Sequence, residues 1–279
     1  MILGNLGAEM NTTVSKNIAT AKSHVRTFLD DLKLIHGPRG DLTRYFFALE
    51  KFLADRGITV RFAAFEEIAR LNSANLDTWD LLLPMLDSKQ HPVEPENALA
   101  FLAYDANETI IASMAARLFD FRGTTLKDEV ESLSFYYGSN ATNARSRVRS
   151  SISAPTAERM SGPSAYLGGY WLRPDVRSTG LSVHLPRLMR YIALTTWNAE
   201  LEFSYGRNNF LRPEIAKTYG FEHVEKEFDF FLEDRLIWRG VLVWTGRNEM
   251  LAHLTELTAI LTEPSVYSSR RDQKPSASA

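Results

Sequence analysis

Arg177 and Gly180, in the stretch YLGGYWLRPDVRSTGLSV from Tyr166 to Val183, are the residues whose types and spacing best fit a defined chemistry. An apolar and aromatic run precedes a turn carrying Pro174 and Asp175, and an amphipathic segment starts directly after Gly180. A strand that feeds a glycine turn at a helix start aims several free backbone N–H groups at one spot, where they and the helix dipole favour an anion. That chemistry is phosphate binding. Arg and Gly at this spacing also occur in plain strand-to-helix connections with a solvent-facing arginine, so both readings stand here.

Other reactive groupings are sparse. The chain has no cysteine, which removes disulfides, thiolate nucleophiles and cysteine metal ligands together. Its six histidines show no metal-type spacing, and there is no G-x-S-x-G or P-loop sequence. Arg145, Arg147 and Arg149 alternate in a Ser- and Asn-rich segment; they suit either a phosphate contact or, more often, a solvated loop. Asp229, Glu233 and Asp234 suit either attraction of a cationic amine or a solvated turn.

The elements that must position the turn follow from periodicity. Val25, Phe28, Leu29, Leu32 and Ile35, then Leu42, Tyr45, Phe46, Leu49, Phe52 and Leu53, predict a helix pair broken at His36–Gly40. Its expected role is to pack an apolar stripe on the main domain; a homodimer contact or a cover over a cleft is the alternative. ITVRFAAF from Ile58 reads as a strand, Glu66 to Leu71 as a helix, and Ala98 to Phe121 as a hairpin turning at Asp105–Glu108. A helix is expected around Leu126 to Tyr137 and another from Leu181 to Asn198. Next come a strand at Leu201–Tyr205, a short helix at Arg212–Tyr219, strands at Phe221–Leu232 and Gly240–Trp244, and a helix at Glu249–Leu261. A strand, a helix and then a hairpin argue for a mixed α/β sheet.

The 279 residues, 44% hydrophobic, suffice for one large core. With 32 basic and 34 acidic residues the net charge is −2, which gives no whole-molecule attraction to nucleic acid or anionic membrane. No apolar run approaches the roughly 20 residues that span a bilayer, and MILGNLGAEMNTTV has no signal-peptide pattern. The expectation is a soluble cytoplasmic protein. Its expected parts are a tail and helical extension over 1–57, a main domain over 58–262 with an insertion near 122–163, and a disordered tail over 263–279.

From about Ile58 to Leu261 the chain resembles the GCN5-related N-acetyltransferase (GNAT) family. Arg177-Ser178-Thr179-Gly180-Leu181-Ser182 is similar to that family's core signature, with Ser182 at a position usually Gly or Ala, and Leu172-Arg173-Pro174 resembles its lead. Asn209 stands eleven residues before Gly220-Phe221, as a later family pattern requires. The resemblance implies a GNAT fold: a mostly antiparallel mixed sheet flanked by helices, with the N-terminal helices as an extension. It also implies an acyl-CoA co-substrate, acetyl-CoA first, and no metal. The amides of Ser178, Thr179, Gly180, Leu181, Ser182 and Val183 would take the pyrophosphate, with Arg177 and Asn209 at the same site. The strand ending at Leu172 would splay from its neighbour and offer its edge to pantetheine.

The implied reaction is direct attack of an amine on the thioester in a ternary complex, the amine belonging to a small molecule or a protein. Two family positions differ here. Ala216 stands where a thiolate-protonating tyrosine is usual, and Gly168 and Gly169 lie where an amine-deprotonating glutamate is often found. Those glycines would either make room for a bulky substrate or form a bulge. Tyr205, Tyr219 and Glu202 are the catalytic candidates by neighbourhood, with Tyr170 and His184 beside them; each also has a structural reading. The departures keep two alternatives open: an inactive acyl-CoA-binding or protein-interaction module, and an acyltransferase that takes its acyl group from acyl carrier protein.

Overall fold

The computed structural model describes residues 25–207 and 212–262; the expected tails outside these bounds, and Asn209, lie outside the described residues. In chain order the elements are α1 (Phe28–Asp31), α2 (Arg39–Ala54), β1 (Thr59–Phe62), α3 (Glu66–Ser73), β2 (Ala98–Tyr104) and β3 (Ile110–Asp120). Then come α4 (Leu126–Glu131), α5 (Ser134–Tyr137), α6 (Ala141–Ala144), β4 (Val148–Ile152), β5 (Pro163–Leu172) and α7 (Leu181–Trp197). The described chain closes with β6 (Leu201–Arg207), α8 (Pro213–Thr218), β7 (His223–Leu232), β8 (Arg235–Gly246) and α9 (Arg247–Thr262).

Among the described residues eight strands form one sheet in the order β1-β2-β3-β5-β6-β8-β7-β4. Every neighbouring pair is antiparallel except β5 with β6, which is parallel. Both faces of the central strands are covered, which explains their near-continuous apolar runs. On β2, Phe101 and Ala103 face α2, α7 and α9, while Ala100 and Leu102 face α3, α4 and α5. The sheet thus has a first face under α2, α7 and α9 and a second under α3, α4, α5 and residues 84–97.

The N-terminal helix packs into this core: Leu42, Tyr45, Phe46, Leu49 and Leu53 share one apolar cluster with Leu185, Leu188, Tyr191 and Ile192 of α7. Tyr45 meets Tyr191 edge to face, with ring centroids 4.7 Å apart. The first helix of the expected pair is cut to four residues, capped by Thr27 and Asp30. Leu32 is already extended, and the Ile35 and His36 amides donate to the side chain and carbonyl of Thr195. Docking on the end of α7 replaced the helical bonds that periodicity had suggested, and Val25 and Ile35 remain exposed.

Part of the segment expected as a solvated loop forms β4, with Val148, Ser150 and Ile152 inward and Arg149 and Ser151 outward. Arg147 pairs with Glu233 and Arg149 with Asp234, while Asp229 pairs with Arg239. Arg147 and Arg149 are thus neutralised by the two acids between β7 and β8, while Arg145 donates to the Ser132 carbonyl and Asp229 is held within the β7–β8 hairpin. The helix expected over 126–137 is split at Leu133, whose φ is 68°. β8 runs well beyond the expected Gly240–Trp244, because its charged start pairs with β7 in a long hairpin.

Candidate active site

β5 and β6 pair only at Ser164 with Leu201, Ala165 with Glu202 and Tyr166 with Phe203. One step further the Ser204 hydroxyl donates to the Leu167 carbonyl at 2.7 Å, and beyond it the two strands part. β5 continues to Leu172 with one edge held by β3 and the other facing the gap. A one-residue register shift opposite Ser113–Ala115 makes a bulge at Gly168–Tyr170, and the Ser113 hydroxyl donates to the Gly169 carbonyl at 3.0 Å. A side chain at 168 would meet Tyr166 Cε1 at 2.6 Å and Leu86 Cδ1 at 2.8 Å. These glycines therefore close the bulge against its neighbours instead of opening substrate space, and no carboxylate fits at that point.

After β5, Pro174–Val176 makes one tight helical turn, Arg177 is extended, and Ser178 and Gly180 take positive φ of 69° and 87°. Among the described residues no acceptor meets the amides of Ser178, Thr179, Gly180, Leu181 or Ser182. They cluster at the start of the 17-residue α7, where the dipole adds to them. Val183 differs from the expectation, since its amide donates to the Gly180 carbonyl at 3.0 Å. Around Gly180 nothing lies within 4 Å of where a Cβ would stand, so its side faces open space.

Arg177 is turned to a structural task. Its Nε donates to the Leu172 carbonyl at 3.1 Å and its Nη2 to the Thr78 carbonyl at 3.3 Å. Thr78 also accepts from Trp171 Nε1 at 3.2 Å, Trp79 stacks on Trp171, and Asp80 lies 3.7 Å from Arg207 at the end of β6. Residues 75–83 therefore bridge the open end of the gap on the second face. Sequence reasoning missed this bridge and the Ser204 bond, since neither carries a local pattern.

The three catalytic candidates lie in three places. Tyr219, half-buried at the end of α8, packs edge to face on Tyr170 with centroids 5.7 Å apart. Burial raises both hydroxyls above the ordinary tyrosine range, and Arg177 is near enough for its charge to oppose this. The Tyr170 hydroxyl is buried without a partner. Tyr205 sits in an aromatic layer on the second face, its ring stacked on Phe228 at 4.4 Å and its hydroxyl pushed well up by burial. Glu202 is 1% exposed and forms a two-pronged pair with Arg190 at 2.6 and 2.9 Å. Burial pushes its carboxyl up, opposed by that guanidinium, and the pair ties β6 to α7 away from the gap. His184 packs on Phe52 and burial pushes its imidazole down to about 4.

Gly220 and Phe221 belong to the same lock. Arg190 donates to the Gly220 carbonyl at 2.9 Å and lies over the Phe221 ring, while Ala216 is fully buried beside Phe221, Val241 and Val243. A tyrosine at position 216 would have to enter that apolar cluster.

The parting of β5 from β6 and the amide-lined turn before α7 are the features that the resemblance implies. The mostly antiparallel mixed sheet flanked by helices is the fold that the resemblance implies. No family model matches the sequence, and no curated protein matches it. Among solved structures it is similar to the spermidine/spermine N-acetyltransferase SpeG of Vibrio cholerae, at 11% identity and a TM-score of 0.41, covering 71% of this chain and 98% of that one. An uncharacterised protein from Bacillus halodurans matches at 12% identity and a TM-score of 0.43, covering 73% and 91%. The ribosomal-protein-S5-alanine acetyltransferase of Vibrio fischeri matches at 10% and 0.38, covering 69% and 94%. The substrates named there belong to those proteins.

Among the described residues no group of His, Asp and Glu could hold a metal ion, and no helix is long and apolar enough to cross a membrane.

Proposed function

We propose that this chain is an acyl-CoA-dependent N-acyltransferase, acetyl-CoA being the first donor to test, acting on the amine of a small molecule or a protein. The observation that carries the proposal is the continuity of one free strand edge with one anion cradle. β5 leaves β6 after Tyr166 and leads straight to five unpartnered amides at the start of α7. A nucleotide pyrophosphate on those amides places the pantetheine arm along the β5 edge, where strand-like hydrogen bonds suit its two amide groups.

In the reaction the amine nitrogen attacks the thioester carbonyl carbon, the carbon–sulfur bond breaks, the sulfur leaves with a proton, and the nitrogen loses one. Alignment of the two reactants supplies much of the rate. Tyr219, beside Tyr170 and Arg177 at the gap, is the proton donor we assign to the leaving thiolate. Burial keeps its hydroxyl protonated at neutral pH. With Glu202 held by Arg190 and no carboxylate on the bulge, the amine's proton passes to water.

Calorimetric titration with acetyl-CoA tests the donor site, and absence of binding to it and to longer acyl-CoAs sinks the proposal. Thiol release across a library of amines then tests turnover, and tight binding without release would identify an inactive binding module instead.

A further inference from the structure

An open hollow of about 630 Å³ lies at the opposite end of β6 from the gap, where β8 ends and α9 begins. Leu201 at the start of β6 pairs with Gly246 and with Ser164, whereas β5 and β6 part only beyond Ser204. The volume falls in the range of small-molecule sites, roughly 300–1,000 Å³. Trp244 and His223 make one wall as stacked rings, with centroids 3.8 Å apart and planes 16° from parallel. Each ring is fixed from outside the stack: Trp244 Nε1 donates to Glu225 at 2.9 Å, and His223 Nε2 lies 2.7 Å from Glu249 Oε1. Glu249 is held in turn by the Gly246 amide at 2.8 Å.

Glu200 and Arg247 also line the hollow, and among the described residues neither side chain has a hydrogen-bond or ion-pair partner. Their backbones are joined, the Arg247 amide donating to the Glu200 carbonyl at 3.0 Å, yet the carboxylate and the guanidinium do not pair with each other. The Glu200 carboxylate instead lies over Gly162, 3.5 Å from where a Cβ would stand. A guanidinium fork takes a carboxylate through two parallel hydrogen bonds, and a carboxylate takes an ammonium. A wall of rings already held in place takes an apolar side chain with little further ordering.

We propose that this hollow binds a free α-amino acid with an apolar side chain, its carboxylate on Arg247, its ammonium on Glu200 and its side chain against the Trp244–His223 wall. The two opposite charges select a zwitterion: a ligand with one charge leaves one of the two residues unanswered and is repelled by it. The ring wall favours apolar over polar side chains. Such a ligand bridges the starts of β6 and α9 and the end of β8. The site lies apart from the gap and holds whether or not the chain transfers acyl groups.

The test uses the full chain without acyl-CoA. L-Phenylalanine and L-leucine are titrated while the indole N–H signals of the five tryptophans are followed by NMR, that of Trp244 being assigned from Trp244→Phe. Saturable movement of the Trp244 signal is expected. N-acetyl-L-phenylalanine, which lacks the ammonium, and L-phenylalaninamide, which lacks the carboxylate, should each bind about tenfold more weakly than phenylalanine, the loss of one hydrogen-bonded charge contact. Glu200→Gln should remove the preference for phenylalanine over its N-acetyl derivative, and Arg247→Met the preference over the amide. Both side chains are free of partners, so the variants should keep the wild-type urea midpoint; if one does not fold, the two analogues on the wild-type protein still decide. No saturable movement at Trp244 with either amino acid overturns the proposal, as do equal binding of phenylalanine and its analogues and preferences that survive both substitutions. Movement confined to Trp79 and Trp171 places the amino acid at the gap as an acceptor, which overturns this site and leaves the proposed reaction intact.

Discussion

Gly180→Asp separates the anion cradle from the fold that presents it. Gly180 has φ of 87°, with nothing within 4 Å of the position a Cβ would take. The folding cost is thus conformational alone, about 1 kcal/mol, and Asp tolerates this region better than most residues. Binding should suffer more. A carboxylate about 5 Å from a phosphate charge repels it by about 1–3 kcal/mol at effective dielectric constants between 80 and 20. That is roughly 5- to 150-fold in Kd. Calorimetric titration of acetyl-CoA into wild type, Gly180→Ala and Gly180→Asp, with urea unfolding of each, measures both quantities. We expect Gly180→Ala to lose a few-fold and Gly180→Asp at least about tenfold, the latter partly restored by salt. A Gly180→Asp protein that folds and binds acetyl-CoA within twofold of wild type would refute the placement of pyrophosphate on these amides.

Gly220→Ala should be a stability mutant, because its Cβ would fall 2.0 Å from Arg190 Nη1 and displace a guanidinium held by Glu202. Positive-φ strain plus disruption of that pair predicts a loss of about 4 kcal/mol or more, read from urea midpoints. Tyr219→Phe should lower kcat about hundredfold with little change in acetyl-CoA affinity, whereas Tyr205→Phe, which removes a buried hydroxyl without a partner, should leave both activity and stability near wild type. For His184, burial lowers the folded value to about 4 from the ordinary imidazole value of about 6.5, so the unfolded chain binds more protons between those values. Its contribution is complete above pH 6.5 and is lost as the pH falls toward 4, on the order of 3 kcal/mol. Replacing it with Gln should reduce the slope of the stability profile in that window, where His91 still contributes, and leave the profile above it unchanged.

The strand, positive-φ glycine turn and helix start were legible because they are local. A phosphate turn needs a strand, a glycine with positive φ and a helix start within a few residues, and Leu172 to Ser182 spells that out in chain order. The amphipathic pattern of α7 and the hairpin at Asp105–Glu108 were legible for the same reason. Catalytic roles were not, because they depend on which side chains meet across the sheet. Glu202 and Tyr205 are neighbours on one strand, yet alternation sends one into an ion pair under α7 and the other into the aromatic layer opposite. Arg177, a signature residue, is spent on the Leu172 and Thr78 carbonyls. Periodicity also overreached at Val25–Ile35, where a docked extended segment won over a helix.

By itself the sequence determined the periodic elements, the strand-turn-helix with its glycine, and the absence of any thiol chemistry, because these are properties of neighbours along the chain. Only the tertiary structure decided where β5 and β6 part and which tyrosine packs on Tyr170. It also decided that Arg147 and Arg149 pair with Glu233 and Asp234, and that Arg117 and His91 are buried with unpartnered nitrogens. Each of these depends on residues far apart in sequence, where register and burial choose the partners and no local preference encodes the choice.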